Sequence, residues 1–292
     1  MTLLSRNPNR FEAQYPDLVA HRWLHLVQGD VCDPDSLPRG RAFTHVLHAA
    51  TDSTNGPQLS PLQRYDQIVN GTRNVLDLAV ASGASRFLLT SSGGVYGPQP
   101  SDMERIPEDH LGMPNPLHVS NVYSVAKRAA EHLCSLYNQG HLQSVVARCF
   151  AFVGPDLPLN VHFAIGNFTR DALWSDEIIV NGDGTPIRSY LDQRDLAHWL
   201  MTLLRDGKAG EAYNVGSDRA ISIADLAYLV RDLVSPEKPV RILANPVDNA
   251  ERSRYVPDIS KIHNHLGLRP TYTLEQSILD TAVAARARGR PR

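Results

Sequence analysis

The chain has 292 residues, 42% of them hydrophobic and 21% charged, with a formal net charge of −2. That composition is ordinary for a globular protein with a sizeable core, and the near-neutral charge excludes a field that draws nucleic acid or anionic membrane without specificity. No apolar run approaches the ~18 residues that read as a membrane span, and the start, MTLLSRNPNRFEAQYP, lacks the pattern of a secretory signal.

In chain order, WLHLVQGD (23–30) and THVLHAAT (44–51) read as short strands. Residues 61–82 then carry Ile68, Val69, Val75, Leu76, Leu78 and Ala79 at close to helical period, and Gly83 stops them. RFLLTSS (86–92), a helix over 121–138 and SVVARCF (144–150) follow. Strands apolar on both faces that alternate with helices predict a doubly wound α/β fold with a parallel sheet. Beyond residue 155 the texture changes. NGDGTP (181–186) is a turn cluster, EIIV and AYNVG read as short strands, and helices are predicted near 161–174, 193–206 and 222–234. The expected division is therefore 1–155 and a smaller lobe over 156–292, interleaved with the last strands of the first. The tail ARARGRPR reads as a solubilising end.

Cys32, Cys134 and Cys149 are odd in number and scattered, which fits a reducing cytoplasm and argues against disulfides. The twelve histidines, His45, His48 and His162 among them, show no zinc-ligand spacing, so no metal site is expected.

The chemistry concentrates in VYSVAKRAAE (122–131). Tyr123 and Lys127, four apart in a helix, share one face. A phenol titrates too high to act as a base near neutrality, and a neighbouring ammonium favours its ionised form. Ser92, at the end of a buried strand in TSSGGVYG (90–97), supplies a hydroxyl at the sheet edge where α/β proteins bind ligands.

SSGGVYG followed by YSVAK resembles the extended short-chain dehydrogenase/reductase family, in its nucleotide-sugar branch. QGDVCD (28–33), LHAAT (47–51), VNGTRNVL (69–76), RCFAFVGP (148–155), GDGTPIRSYLDQRDLA (182–197) and YNVGS (213–217) are similar to further family segments in the same order. The resemblance implies an oxidoreductase that binds NAD or NADP and a nucleotide sugar. Tyr123 would exchange a proton with a sugar hydroxyl or ketone. Lys127 would lower the phenol's pKa and bind the nicotinamide ribose, and Ser92 would bond the same sugar oxygen. Asp30 and Val31 would meet the adenine. His48, Ala49, Ala50 and Thr51 would pass under the cofactor, with Asn70, Thr90 and Phe150 completing its site. Gly93, Asn167, Arg188 and Arg254 would face the substrate, the arginines by gripping its diphosphate. The helices at 61–82 and 121–138 correspond to those that form a dimer interface in many relatives, so a homodimer is expected.

The sequence departs from the family pattern in several places. It has no glycine-rich turn of the kind that cradles a pyrophosphate. TLLSRNP looks like the end of the second strand, so roughly 30 residues of strand and helix are absent relative to that pattern. In the usual strand order the absent strand is central, leaving strands two and four with unpaired backbone groups at about 1–3 kcal/mol each. Either the working protein is longer, or this is a truncated relative with weakened cofactor binding. Where relatives carry an acid after the strand-end hydroxyl, this chain has Gly93 and Gly94, which cannot move protons. Ala151 stands where many relatives have Asn. Ser5 and Arg6, in place of an acid after the second strand, suit a 2′-phosphate and make NADP plausible beside NAD. The reading is an NAD(P)-dependent nucleotide-sugar epimerase or 4-ketoreductase, placed by resemblance in surface-polysaccharide biosynthesis. The alternatives are a dehydratase or decarboxylase of the same family, or a non-catalytic truncated relative.

Overall fold

The computed structural model describes residues 1–51, 58–138, 140–245 and 253–290. The chain divides into two compact units. The first comprises Met1–Thr90, Pro116–Val146 and Lys208–Glu211, and the second Ser91–Asn115, Ala147–Gly207 and Ala212–Arg292.

The first unit opens with β1 (Thr2–Ser5), α1 (Pro8–Gln14), α2 (Pro16–Val19) and β2 (His25–Gln28), with β2 parallel to β1. Next come β3 (His45–His48), α3 (Pro61–Ala81), β4 (Arg86–Ser92), α4 (Val122–Tyr137) and β5 (Gln143–Cys149). The helix α3 starts where its sequence dictates. Pro61 occupies the first turn, and Ser60 and Gln63 form a reciprocal capping box. It buries Ile68, Thr72, Val75, Leu76 and Ala79, one stripe at helical spacing. Gly83, at φ +76°, ends it in a conformation that side chains resist. The strand β4 buries Phe87, Leu88 and Leu89 in succession, the signature of a strand covered on both faces.

β3, β4 and β5 are neighbours in one sheet, with β3 and β4 parallel, while β1 and β2 form a separate pair. The interruption falls where the resemblance places a central strand. Residues of β1 and β3 line one cavity of about 350 Å³ there, with Leu3, Leu4, Val46, Leu47, Val75 and Leu78 in its walls.

The second unit contains β6 (Phe152–Val153), α5 (Ala164–Trp174), β7 (Ile178–Val180), β8 (Ile187–Arg188), β9 (Leu191–Asp192) and α6 (Gln193–Asp206). These are followed by β10 (Ala212–Val215), β11 (Ile221–Ser222), α7 (Ile223–Val234), β12 (Val240–Ile242), β13 (Arg254–Tyr255), α8 (Ser260–Leu266) and α9 (Leu274–Arg288). One core joins Ile165, Phe168, Ile178, Leu226, Val230 and Ile278. A second joins Val95, Tyr96, Ile106 and Phe150, with Tyr255 packed against it.

That second core corrects the expected boundary at residue 155. The segments that follow Thr90 on β4 and Val146 on β5 bury their aromatic residues with Tyr255, so they belong to the second unit. Among the described residues no helix is long and apolar enough to cross a membrane.

Candidate active site

In the first unit α3 packs along α4, and α4 carries Tyr123 and Lys127 one turn apart. Lys127 is 2% exposed. Its Nζ donates to Thr51 Oγ1 at 2.8 Å and to the Thr90 carbonyl at 2.7 Å. Two uncharged oxygens thus hold a buried ammonium, which desolvation would otherwise disfavour. The Tyr123 ring has that ammonium 5.9 Å from its centroid and the Arg64 guanidinium at 4.7 Å, both within cation–π range. Arg64, on α3, was not legible as a site residue, because only helix packing brings it to the phenol. Its Nε is buried with no partner among the described residues.

A cavity of about 220 Å³ lies in the same unit, lined by Ser5, Arg6, Asp30, Val31, Ala49, Ala50 and Thr51, all expected at the cofactor. Leu4, Gly29 and Gln67 complete it, and the Gln67 Oε1 is a buried acceptor without a partner among the described residues. Thr51 therefore belongs both to the cavity wall and to the bond that holds Lys127. Asp30 keeps its turn rigid: its Oδ1 accepts from Cys32 N–H, and its own N–H donates to Ser36 Oγ. An acid, an arginine and hydroxyls around one small cavity suit a ribose and its substituents.

Other expected cofactor residues have different tasks. His48 is buried, and its ring nitrogen lies 3.1 Å from Thr72 Oγ1. The Thr72 hydroxyl spends its proton on the Ile68 carbonyl, so the histidine Nε2–H must be the donor. Burial, with the Lys127 charge second, lowers the His48 pKa to about 3 and keeps the ring neutral. The Thr90 hydroxyl donates to the His48 carbonyl. Asn70 is exposed and donates to Asp66 on its own helix. Asn74 makes the bond that ties α3 to the loop after β2, donating to the Val31 carbonyl at 2.9 Å. The structural asparagine of this helix is thus Asn74 rather than Asn70; the repeated Asn of NGTRN hid which one turns inward.

In the second unit Ser92 is 8% exposed, and its hydroxyl oxygen accepts from the Gly94 N–H at 3.1 Å. That bond uses a lone pair and leaves the hydroxyl proton available to donate. Gly93 is required here: a Cβ would lie 2.6 Å from the Tyr255 hydroxyl and 2.7 Å from Phe150. Phe150 itself is 8% exposed and stacks with Tyr255, ring centroids 4.5 Å apart. Among the described residues Arg188 bonds to uncharged oxygens, the carbonyls of Ile187 and Ser253 and the Ser253 hydroxyl, and burial lowers its pKa. It is a half-buried cation with no acid bonded to it among the described residues. On the neighbouring strand β13, Arg254 donates to the Glu104 carbonyl. Asn167 does not join these arginines. It accepts from Arg170 Nη1 at 3.0 Å and lines a cavity with Asp171, Ser175 and Glu177. Among the described residues no group of His, Cys, Asp and Glu could hold a metal ion.

Comparison with known proteins adds the family. The chain is 30% identical over 266 residues to UDP-glucuronic acid decarboxylase 3 of Arabidopsis thaliana, covering 89% of this chain and 74% of that protein. It is 30% identical to UDP-glucuronic acid decarboxylase 1 of Danio rerio, covering 90% of this chain but 61% of the relative. Among solved structures, RMD from Pseudomonas aeruginosa, complexed with NADPH, matches at TM-score 0.81 and 27% identity, covering 99% of both chains. The UDP-glucose 4-epimerase of Thermotoga maritima, solved with UDP-glucose, has the same fold at TM-score 0.80 and 19% identity, again over 99% of both chains. The profile of the NAD dependent epimerase/dehydratase family matches residues 1–216, and the chain belongs to that family.

Proposed function

We propose that the protein binds NAD or NADP and a nucleotide-linked uronic acid, and removes the sugar's carboxylate by transient oxidation of its ring. The observation that carries the proposal is the pair of cations, Arg64 and Lys127, within reach of the Tyr123 ring, with Lys127 bonded to Thr51 in the wall of a ribose-sized cavity. Neighbouring cations favour the ionised form of a phenol, which suits it to pass a proton to and from a substrate oxygen. Tyr123 takes the proton of the sugar's 4-hydroxyl, and in the second unit the Ser92 hydroxyl has a proton to donate to a sugar oxygen. Lys127, with Thr51 bonded to it, holds the nicotinamide ribose; Asp30 and Arg6 hold the other end. When bound, the dinucleotide supplies the acceptor and later the donor of the sugar hydride. Arg188, with Arg254, receives the diphosphate.

A 4-ketone places the sugar's carboxylate β to a carbonyl. Such an acid loses carbon dioxide as the C5–C6 electron pair moves into the ketone, and the resulting enolate takes a proton from water at C5. Breaking that bond requires no side-chain acid or base, so Gly93 and Gly94 do not stand against decarboxylation. They do stand against dehydration, which needs a base at one carbon and an acid at the leaving hydroxyl. The decarboxylase relatives at 30% identity support this reading. A second reading, reduction of a 4-keto sugar, is supported by the likeness to RMD complexed with NADPH and by Ser5 and Arg6 in the cofactor cavity. A homodimer through α3 and α4 is part of the proposal, supported by Leu62, Val80 and Leu136 exposed on those helices. So is a cytoplasmic place in polysaccharide synthesis.

The test is turnover. UDP-glucuronate with the dinucleotide should release carbon dioxide. Tyr123→Phe should abolish release with circular dichroism unchanged. Release that survives the substitution rejects Tyr123 as the proton carrier. Oxidation of the reduced dinucleotide by a 4-keto sugar nucleotide, without carbon dioxide release from the uronate, favours the second reading.

A further inference from the structure

A cavity of about 500 Å³ in the second unit lies outside the residues assigned above. Its apolar walls are Tyr190, Ile259, Leu274 and the ring of Tyr272, and the hydroxyls of Ser217 and Ser260 also line it. The loop that closes it is fixed from below. Buried Asp195 accepts the N–H groups of Thr271 and Tyr272 and the Thr271 hydroxyl. The Arg194 guanidinium lies 3.7 Å from the centre of the Tyr272 ring.

Most charges at the rim are matched. Arg219 forms a two-pronged pair with Glu275, at 2.8 and 2.6 Å, and Arg105 pairs with Asp218 at 3.0 Å. Arg269 and His263 are different, because they bond to each other. Arg269 Nε is 3.1 Å from His263 Nδ1, and Arg269 Nη2 is 2.6 Å from His263 Nε2. A guanidinium has only donors, and a neutral imidazole has one acceptor nitrogen and one N–H. One of the two contacts therefore sets N–H against N–H. No carboxylate bonds to either residue among those described. This corner of the cavity has more donors than acceptors, and a positive charge with no acid bonded to it among the described residues.

An oxyanion accepts from several donors at once, and a phosphate does so with three oxygens. The cavity is too large for phosphate alone, and its apolar walls suit a ring. We propose that it binds a phosphate monoester of a sugar or nucleoside, with the phosphate at Arg269 and His263 and the ring against Tyr190 and Ile259. Tyr190 lies two residues from Arg188, and its hydroxyl is electrostatically coupled to that guanidinium. An occupant would therefore touch the strand that carries the half-buried cation. The assignment does not rest on the function proposed above.

The test is calorimetric titration of the whole protein with glucose 1-phosphate and, separately, with inorganic phosphate. Saturable binding of the ester is expected, with phosphate weaker. Arg269→Ala, at an exposed position, should weaken ester binding about tenfold or more. His263→Gln should weaken it less, and Arg188→Gln should leave it unchanged. No saturation with either probe overturns the proposal. So does affinity that ignores Arg269→Ala, or that disappears only in Arg188→Gln, since the ester would then occupy a different place.

Discussion

The phenol of Tyr123 is flanked by charges from two helices, and their contributions are separable. Lys127 is anchored by Thr51 and Thr90, so removing it also leaves buried oxygens unsatisfied. Arg64 touches the ring from α3 and can be changed more cleanly. Arg64→Met preserves the packing and removes the charge. In the reaction proposed for Tyr123, the limb of the pH–rate profile that reports the phenol should move to higher pH, and kcat should fall about tenfold. A profile that does not move would confine Arg64 to packing. His48 gives a prediction about stability. Its pKa is lowered from 6.5 to about 3 in the folded protein, so below pH 6.5 the unfolded chain binds a proton that the folded one refuses. Stability is thus complete above pH 6.5 and is lost as pH falls towards 3, by about 1.4 kcal/mol per pH unit. Urea unfolding at pH 6.5 and 5.5 should show about 1 kcal/mol less of this loss in His48→Gln than in the parent.

At the scale of elements, the second unit is tied together by buried carboxylates at the start of α6. Asp192 caps that helix at Arg194 N–H and also accepts from the Arg194 side chain and the Ser277 hydroxyl. Burial pushes its pKa up, but those bonds outweigh it and hold the carboxyl below its ordinary range. Asp195 binds the loop ahead of α9 through three donors. Asp195→Ala leaves these part-buried donors without their acceptor and should cost about 1–3 kcal/mol, read as a lower urea midpoint, while Asp195→Asn should recover part of it. The bonds to Thr271, Tyr272 and Ser277 were not visible in GDGTPIRSYLDQRDLA, because those partners lie about 80 residues away. What was legible was local: the capped stripe of α3, the four-residue spacing of Tyr123 and Lys127, the buried run of β4. Their order sufficed for the fold class. Arg64, Gln67 and Asn74 were not legible, since each acts across a packing interface that periodicity cannot specify. The unit boundary was missed for the same reason, aromatic residues after β4 and β5 being claimed by Tyr255.

For the molecule as a whole, the cavity between β1 and β3 implies that the protein does not come apart everywhere at once. Among the described residues the pair β1–β2 forms a sheet of its own, apart from the larger one. Two strands alone are marginally stable in water. Local opening should therefore release this ribbon at a free energy well below that of global unfolding. In deuterium exchange, the amides of Leu4 and Val27 should take up label at least about tenfold faster than those of Leu88 and Leu89. Equal protection would mean that the ribbon and the buried strands open as one cooperative body. An apolar compound that fills the slot should slow the ribbon's exchange and leave that of β4 untouched, making the gap a handle on a single layer of the protein.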